Sequence, residues 1–257
     1  SSFDALQGGE TLTLSGSGTS ASANVANGIA MSSNGNLALV DGTGLASNYS
    51  LNSTVINITE RVLNSSGSKI YDANTDALAA DITLSNLVSG EALNHSGTAT
   101  ISSANAGSYT ITNLAGITIA DGSGGTASNY TLTGGTHNFT TNQRPLNATL
   151  ARQYDGTSNA AGSDLSSFDA LQGGETLTLS GSGSAVNDNV ANGISVSSLG
   201  TLALVNGTGL ASNYSLNSAA INITQRVLNS SGSKTYDANT NALAADITLS
   251  NLVSGET

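Results

Sequence analysis

Six basic residues are the whole cationic chemistry of this 257-residue chain, and they fall on two recurring positions. Arg61, Arg144 and Arg226 hold the first, and Lys69, Arg152 and Lys234 follow, each eight residues later. A lysine among Asn and Asp could condense into an intramolecular isopeptide amide. Arg152 stands at the same place in the middle copy, and a guanidinium cannot form that bond. The common denominator is an ion pair, so each base is expected to meet the acid of the Tyr-Asp pair that follows it: Tyr71-Asp72, Tyr154-Asp155 and Tyr236-Asp237.

Asp72, Asn74 and Asp76 have the oxygen spacing that opens a calcium loop. The other copies dilute that pattern, because Asp76 becomes Asn241, Asp41 becomes Asn206 and Glu60 becomes Gln225. Turn formation is the reading for these acids and no cofactor is expected, calcium being the one metal the pattern would admit. His95 and His137 occur in one stretch with no cysteine anywhere in the chain, which builds neither a zinc site nor a triad, and they are read as solvated. There is no Gly-x-Ser-x-Gly elbow and no paired carboxylate in an evident cleft, so no enzyme is expected.

Seventeen acids against six bases give a net charge of -11, the wrong sign for phosphate binding, so no nucleic acid partner is expected. No apolar run nears the 18 or so residues of a membrane span, and no signal peptide lies in this stretch. Asn-x-Ser/Thr sequons arise here by composition alone.

The elements that must position these residues come from repetition. Ser1 to Glu91 reappears almost unchanged as Ser166 to Glu256, and the Arg-x-Leu-Asn signal at 61, 144 and 226 sets a shorter unit of about 82 residues. Residues 61–143 and 144–225 are complete modules, 1–60 the C-terminal part of one and 226–257 the N-terminal part of another. Such ends suit either a segment of a longer polypeptide or a subunit completed by its neighbours, with covalent continuity the simpler account.

Apolar residues alternate in short runs such as Leu12 and Leu14, Ile82 and Leu84, Tyr109 and Ile111, with Asn-Gly and Asp-Gly pairs between them. Period two with turn signals predicts six to eight short strands per module. The fold class is therefore all-β: tandem small antiparallel β-sandwich modules, immunoglobulin-like or related, joined without spacers into a stiff rod or filament. A β-solenoid is the alternative, but no rung-length period is visible inside a module. Tyr49, Tyr130 and Tyr214, each in Ala-Ser-Asn-Tyr, and Tyr109 in Asn-Ala-Gly-Ser-Tyr are expected to anchor the cores, with hydroxyls returned to upstream backbone as at a tyrosine corner.

The order of signals in each module is Arg-x-Leu-Asn, Tyr-Asp-Gly/Ala, Gly-Glu, Asn-Val and Ser-Asn-Tyr. It resembles the YDG repeat domain of giant bacterial surface proteins. Tyr154-Asp155-Gly156-Thr157 carries the name-giving motif intact, and Asn189-Val190 and Ser212-Asn213-Tyr214 match the later signatures. Tyr71-Asp72-Ala73 and Tyr236-Asp237-Ala238 replace the glycine, which calls that turn into question, and Asn105-Ala106 stands where Asn-Val is expected. The resemblance implies tandem arrays in filamentous-haemagglutinin-like adhesins, an extracellular, surface-associated place and no activity.

The function expected is a stalk or self-associating fibre. Its partners are neighbouring repeats of the same protein, in cis or as a homopolymer. The alternative is an adhesive module for a glycan or a surface, ice included, presented by Thr-x-Thr rows such as Thr11 and Thr13. With seven Tyr, three Phe and no Trp, platforms for sugars are few.

Overall fold

The computed structural model describes residues 6–52 and 54–256. It is all-β, and short 3-10 turns are the only helical segments among them. The chain divides into two compact units, Ser1–Gly67 with Leu78–Thr100 and Thr110–Asn138, and Ser68–Ala77 with Ile101–Tyr109 and Phe139–Thr257. Each unit contains residues of consecutive repeats, so a junction between repeats lies inside a compact body.

The second unit contains the whole of module 144–225, which has eight strands. Six form one sheet, in the spatial order Asn159–Ala161, Ser182–Ala185, Ala191–Ser198, Tyr214–Thr224, Arg144–Gln153, Leu165–Phe168. Leu177–Ser180 and Ala203–Asn206 make a separate antiparallel pair. Alternation decides what is inside. Along Leu177–Ser180 the leucines are buried while Thr178 and Ser180 are exposed, as a two-faced strand requires. Leu150, Ala160, Leu179, Ile194, Ile221 and Ile223 meet in one core.

Most neighbours are antiparallel, but the first and last strands of the module are parallel, with Arg144 opposite Tyr214 and Gln153 opposite Thr224. Hydrophobic period carries no information on strand direction, so the alternation could not foretell this pairing. One register shift interrupts it between Leu146 and Asn147, where Asn217 is the extra residue. Asn147 fastens that bulge, accepting from Asn217 Nδ2 at 3.1 Å and from Ser218 Oγ at 2.6 Å. Because the two terminal strands run the same way, the chain comes in at one end of the module and leaves at the other.

The first unit repeats these pairings from other copies. Arg61–Val62 is parallel to Tyr130–Thr131, Asn64–Gly67 antiparallel to Ile82–Ser85, and Leu12–Ser15 antiparallel to Ala38–Asp41. His137 departs from the solvated reading. It is buried, with Nδ1 2.9 Å from Ser65 Oγ and Nε2 2.8 Å from the Leu132 carbonyl. A carbonyl accepts only, so the proton is assigned to Nε2 and Nδ1 accepts from the serine. His95 likewise directs Nε2 to the carbonyls of Ala79 and Ile82.

Ile221 is 0 % exposed beside Leu150 of the parallel strand, while its copy Ile56, paired among the described residues with Ile29 alone, is 44 % exposed. Ile221→Ala is expected to cost about 3–4 kcal/mol in urea unfolding, and Ile56→Ala about 1 kcal/mol or less. Equal costs would show that the two positions share one environment.

Candidate functional site: the junction between repeats

The chemistry-bearing residues gather where one repeat meets the next. In the second unit, the Tyr71 hydroxyl, from the Tyr-Asp-Ala turn of module 61–143, donates to Oε1 of Glu175 at 2.7 Å. Glu175 belongs to module 144–225, and its other oxygen accepts from the Tyr214 hydroxyl. The two rings meet edge to face, with centroids 5.3 Å apart at 76°. Leu146 and Leu177 complete the buried cluster, leaving Tyr71 3 % exposed.

Backbone and arginine hold the parts in place. Tyr71 N–H donates to the Asn142 carbonyl, and Gln172 N–H donates to the Tyr214 hydroxyl at 3.0 Å. Arg144 bonds the Ala170 carbonyl through Nε at 2.9 Å and the Tyr71 carbonyl at 3.3 Å, so the first base of a repeat touches both sides of the junction. Arg226 does the same next door, to Asn251 at 2.6 Å and to the Tyr154 carbonyl at 3.5 Å.

A second contact lies beside the first. Asn213 is buried, its Oδ1 accepting from the Ala106 amide at 2.8 Å and its Nδ2 donating to Asn105 Oδ1 at 3.0 Å. In the first unit Asn129 makes the same pair of bonds with Val25 N–H and Asn24 Oδ1, at 2.8 and 2.9 Å. An asparagine amide offers donor and acceptor side by side, so it reads an exposed backbone N–H and a neighbouring amide together. Tyr71 with Glu175, and Asn105-Ala106 with Asn213, thus form two matched contacts across one junction.

The remaining copies show the same parts. Tyr154 donates to Glu256 Oε1 at 2.7 Å. Tyr49 donates to Glu10 and Tyr130 to Glu91, both at 2.5 Å, and their hydroxyls accept from the amides of Gln7 and Val88. Tyr109 is separate, reaching only its own Ala106 carbonyl at 3.4 Å. Burial and the carboxylate beside it push the Tyr71 hydroxyl up to about 12, and Tyr214 and Tyr130 are raised by burial and then by their glutamates.

The second base of each repeat closes the Tyr-Asp turn. Lys69 Nζ lies 2.8 Å from Asp72 and Asn74 Oδ1, 2.9 Å from the Asn74 carbonyl and 2.7 Å from the Asp76 carbonyl. The oxygens with calcium-loop spacing therefore surround an ammonium of the chain itself, and a metal ion entering there would meet that charge first. Lys234 repeats the cage with Asp237, Asn239 and Asn241. Arg152 pairs with Asp155 and the Thr157 carbonyl. Desolvation would raise Asp155, but bonds from Thr157 and the arginine prevail and hold it low. Among the described residues no three His, Cys, Asp or Glu cluster as metal ligands.

The turn itself keeps a left-handed residue in all three copies, at φ 74° for Gly156 and at 64° and 60° for Ala73 and Ala238. Losing glycine did not change the geometry, so alanine there bears the strain of a Cβ crowding the carbonyl. The Thr-x-Thr rows lie exposed beside buried leucines, and Thr176 Oγ1 sits 3.2 Å from Thr208 Oγ1.

Two outcomes follow from this geometry. Ala73→Gly is expected to stabilise the second unit by about 0.5–1 kcal/mol in urea unfolding. A raised hydroxyl pKa means that the protonated form is favoured when folded. Its contribution is complete below the ordinary tyrosine value near 10 and is lost as pH climbs towards about 12. Melting temperature should fall across that window, and Tyr71→Phe should flatten the fall. An unchanged profile in the variant would remove Tyr71 as the cause.

Comparison with known proteins matches two successive stretches, residues 58–137 and 142–223, to the YDG domain. No curated protein and no solved structure matches the chain. The matched stretches carry the tyrosine, glutamate and asparagine residues that meet at the junction between them, and the chain belongs to the YDG domain family.

Proposed function

We propose that this chain is a structural repeat region of an extracellular bacterial adhesin or filament, in which the modules act as a stiff stalk and are themselves one another's binding partners. The observation that carries this reading is the half-buried carboxylate of Glu175, whose two oxygens are held by tyrosines of consecutive repeats. A hydrogen bond to a charged group contributes about 1.5–3 kcal/mol. The junction therefore favours one geometry over a swivelling joint. The parallel first and last strands of module 144–225 support the same reading, since they carry the chain from one end of the module to the other. A cell-surface location follows from the kind of protein in which a long passive spacer is useful.

Each added repeat should lengthen an array by about the span of a ten-residue strand, roughly 30 Å at 3.3 Å per residue. Small-angle scattering of arrays with two, four and eight complete repeats checks this. A maximum dimension rising linearly supports the stalk, and one rising much more slowly, as a collapsed or freely jointed chain would, overturns it. Glu175→Gln should shorten the mean dimension by loosening one junction.

A further inference from the structure

The lysine cage of the Tyr-Asp turn holds more chemistry than an ion pair uses. The Lys69 side chain is 8 % exposed, and its Nζ stands 2.8 Å from Asp72 Oδ1 and 2.8 Å from Asn74 Oδ1. A primary amine, a carboxylate and a carboxamide are therefore side by side. The Asp76 N–H donates to Asn74 Oδ1 at 2.8 Å, so a backbone dipole polarises the very carbonyl whose carbon an amine would attack. The second lysine copy adds a further contact. Lys234 Nζ lies 3.0 Å from Asp237 Oδ1 and from Asn239 Oδ1, while Asn239 Nδ2 donates to Asp237 Oδ2 at 2.6 Å. One carboxylate there touches both the amine and the amide nitrogen that would leave.

The middle copy shows which residues belong together. Arg152 replaces the lysine, and Thr157 stands where Asn74 and Asn239 stand, while Asp155 is kept. A guanidinium does not form that amide, and a threonine has no carboxamide to give. Between the two lysine copies Ile70 corresponds to Thr235 and Asp76 to Asn241, yet lysine, aspartate and asparagine are the same in both. An ion pair needs only the base and the acid. The asparagine goes with the lysine.

We propose that Lys69 with Asn74, and likewise Lys234 with Asn239, condense into intramolecular isopeptide bonds, the intervening aspartate carrying the proton. Asp72 takes a proton from the Lys69 ammonium, and the neutral amine attacks Asn74 Cγ while the Asp76 N–H holds the oxyanion formed on Oδ1. Asp72 then passes its proton to Nδ2. The Cγ–Nδ2 bond breaks, the new Nζ–Cγ bond stays, and Nδ2 departs as ammonia, taking the second proton lost by Nζ with it as ammonium. Nothing is oxidised or reduced. The bridge closes a loop over residues 70–73 and so pins Tyr71, the residue that donates to Glu175. It forms within one turn, so it does not depend on how an array behaves.

Intact-mass spectrometry of the full chain should find it lighter than its sequence by one ammonia for each of the two Lys–Asn pairs. Peptide mapping should join residue 69 to 74 and residue 234 to 239. Lys69→Arg should restore the ammonia of the first pair, and Asp72→Ala should restore the same one. Arg152→Lys together with Thr157→Asn gives the middle copy the complete trio and should remove one ammonia more. Succinimides at Asn-Gly pairs lose the same mass without any lysine, so the lysine variants tell the two apart. A chain at its full sequence mass, or a loss that survives replacement of both lysines by arginine, overturns the proposal.

Discussion

The carboxylate of Glu175 is the constraint on which the rest depends. It has two oxygens, and each is committed to a tyrosine of a different repeat, so Tyr71 cannot move away from Tyr214 without stretching a charged hydrogen bond. Everything nearby serves that arrangement. Leu146 and Leu177 exclude water, Arg144 anchors the backbone on both sides, and Asn213 adds a second point of attachment.

The alternating leucines, isoleucines and turn glycines made the all-β architecture legible, because a half-buried strand leaves a period-two mark. Strand direction left none, and the parallel pairing of Arg144–Gln153 with Tyr214–Thr224 was invisible for that reason. The tyrosines and basic residues stood out by their recurrence. Glu175, Asn105 and Asn213 lay in recurring signals too, but nothing in a Gly-Glu or an Asn-x pair says which residue of the next repeat it meets. A signal was present in the copies: Glu10, Glu91, Glu175 and Glu256 persist while Asp41, Glu60 and Asp76 lose their charge elsewhere. An acid retained in every repeat is one whose charge is used.

The Tyr-Asp turn illustrates how the repeats tolerate change. Replacing glycine by alanine at 73 and 238 leaves the turn left-handed, because the lysine cage over-determines it from Asp72 to Asp76. Exchanging lysine for arginine at 152 alters the partners but keeps an internal cation in the loop. The junction is less forgiving, as its tyrosine, glutamate and asparagine each do something no other side chain can. Identical junctions cannot choose among neighbours by chemistry, so tethering, through a high effective concentration, sets which repeat binds which.

The parallel terminal strands of module 144–225 have a mechanical meaning. Tension applied through the backbone pulls Arg144 and Thr224 apart along the strand axis, so the ladder between them is loaded in shear and its bonds share the force. An antiparallel pair of terminal strands would instead be peeled open one bond at a time. Seen this way the module is riveted where a hairpin would be zipped.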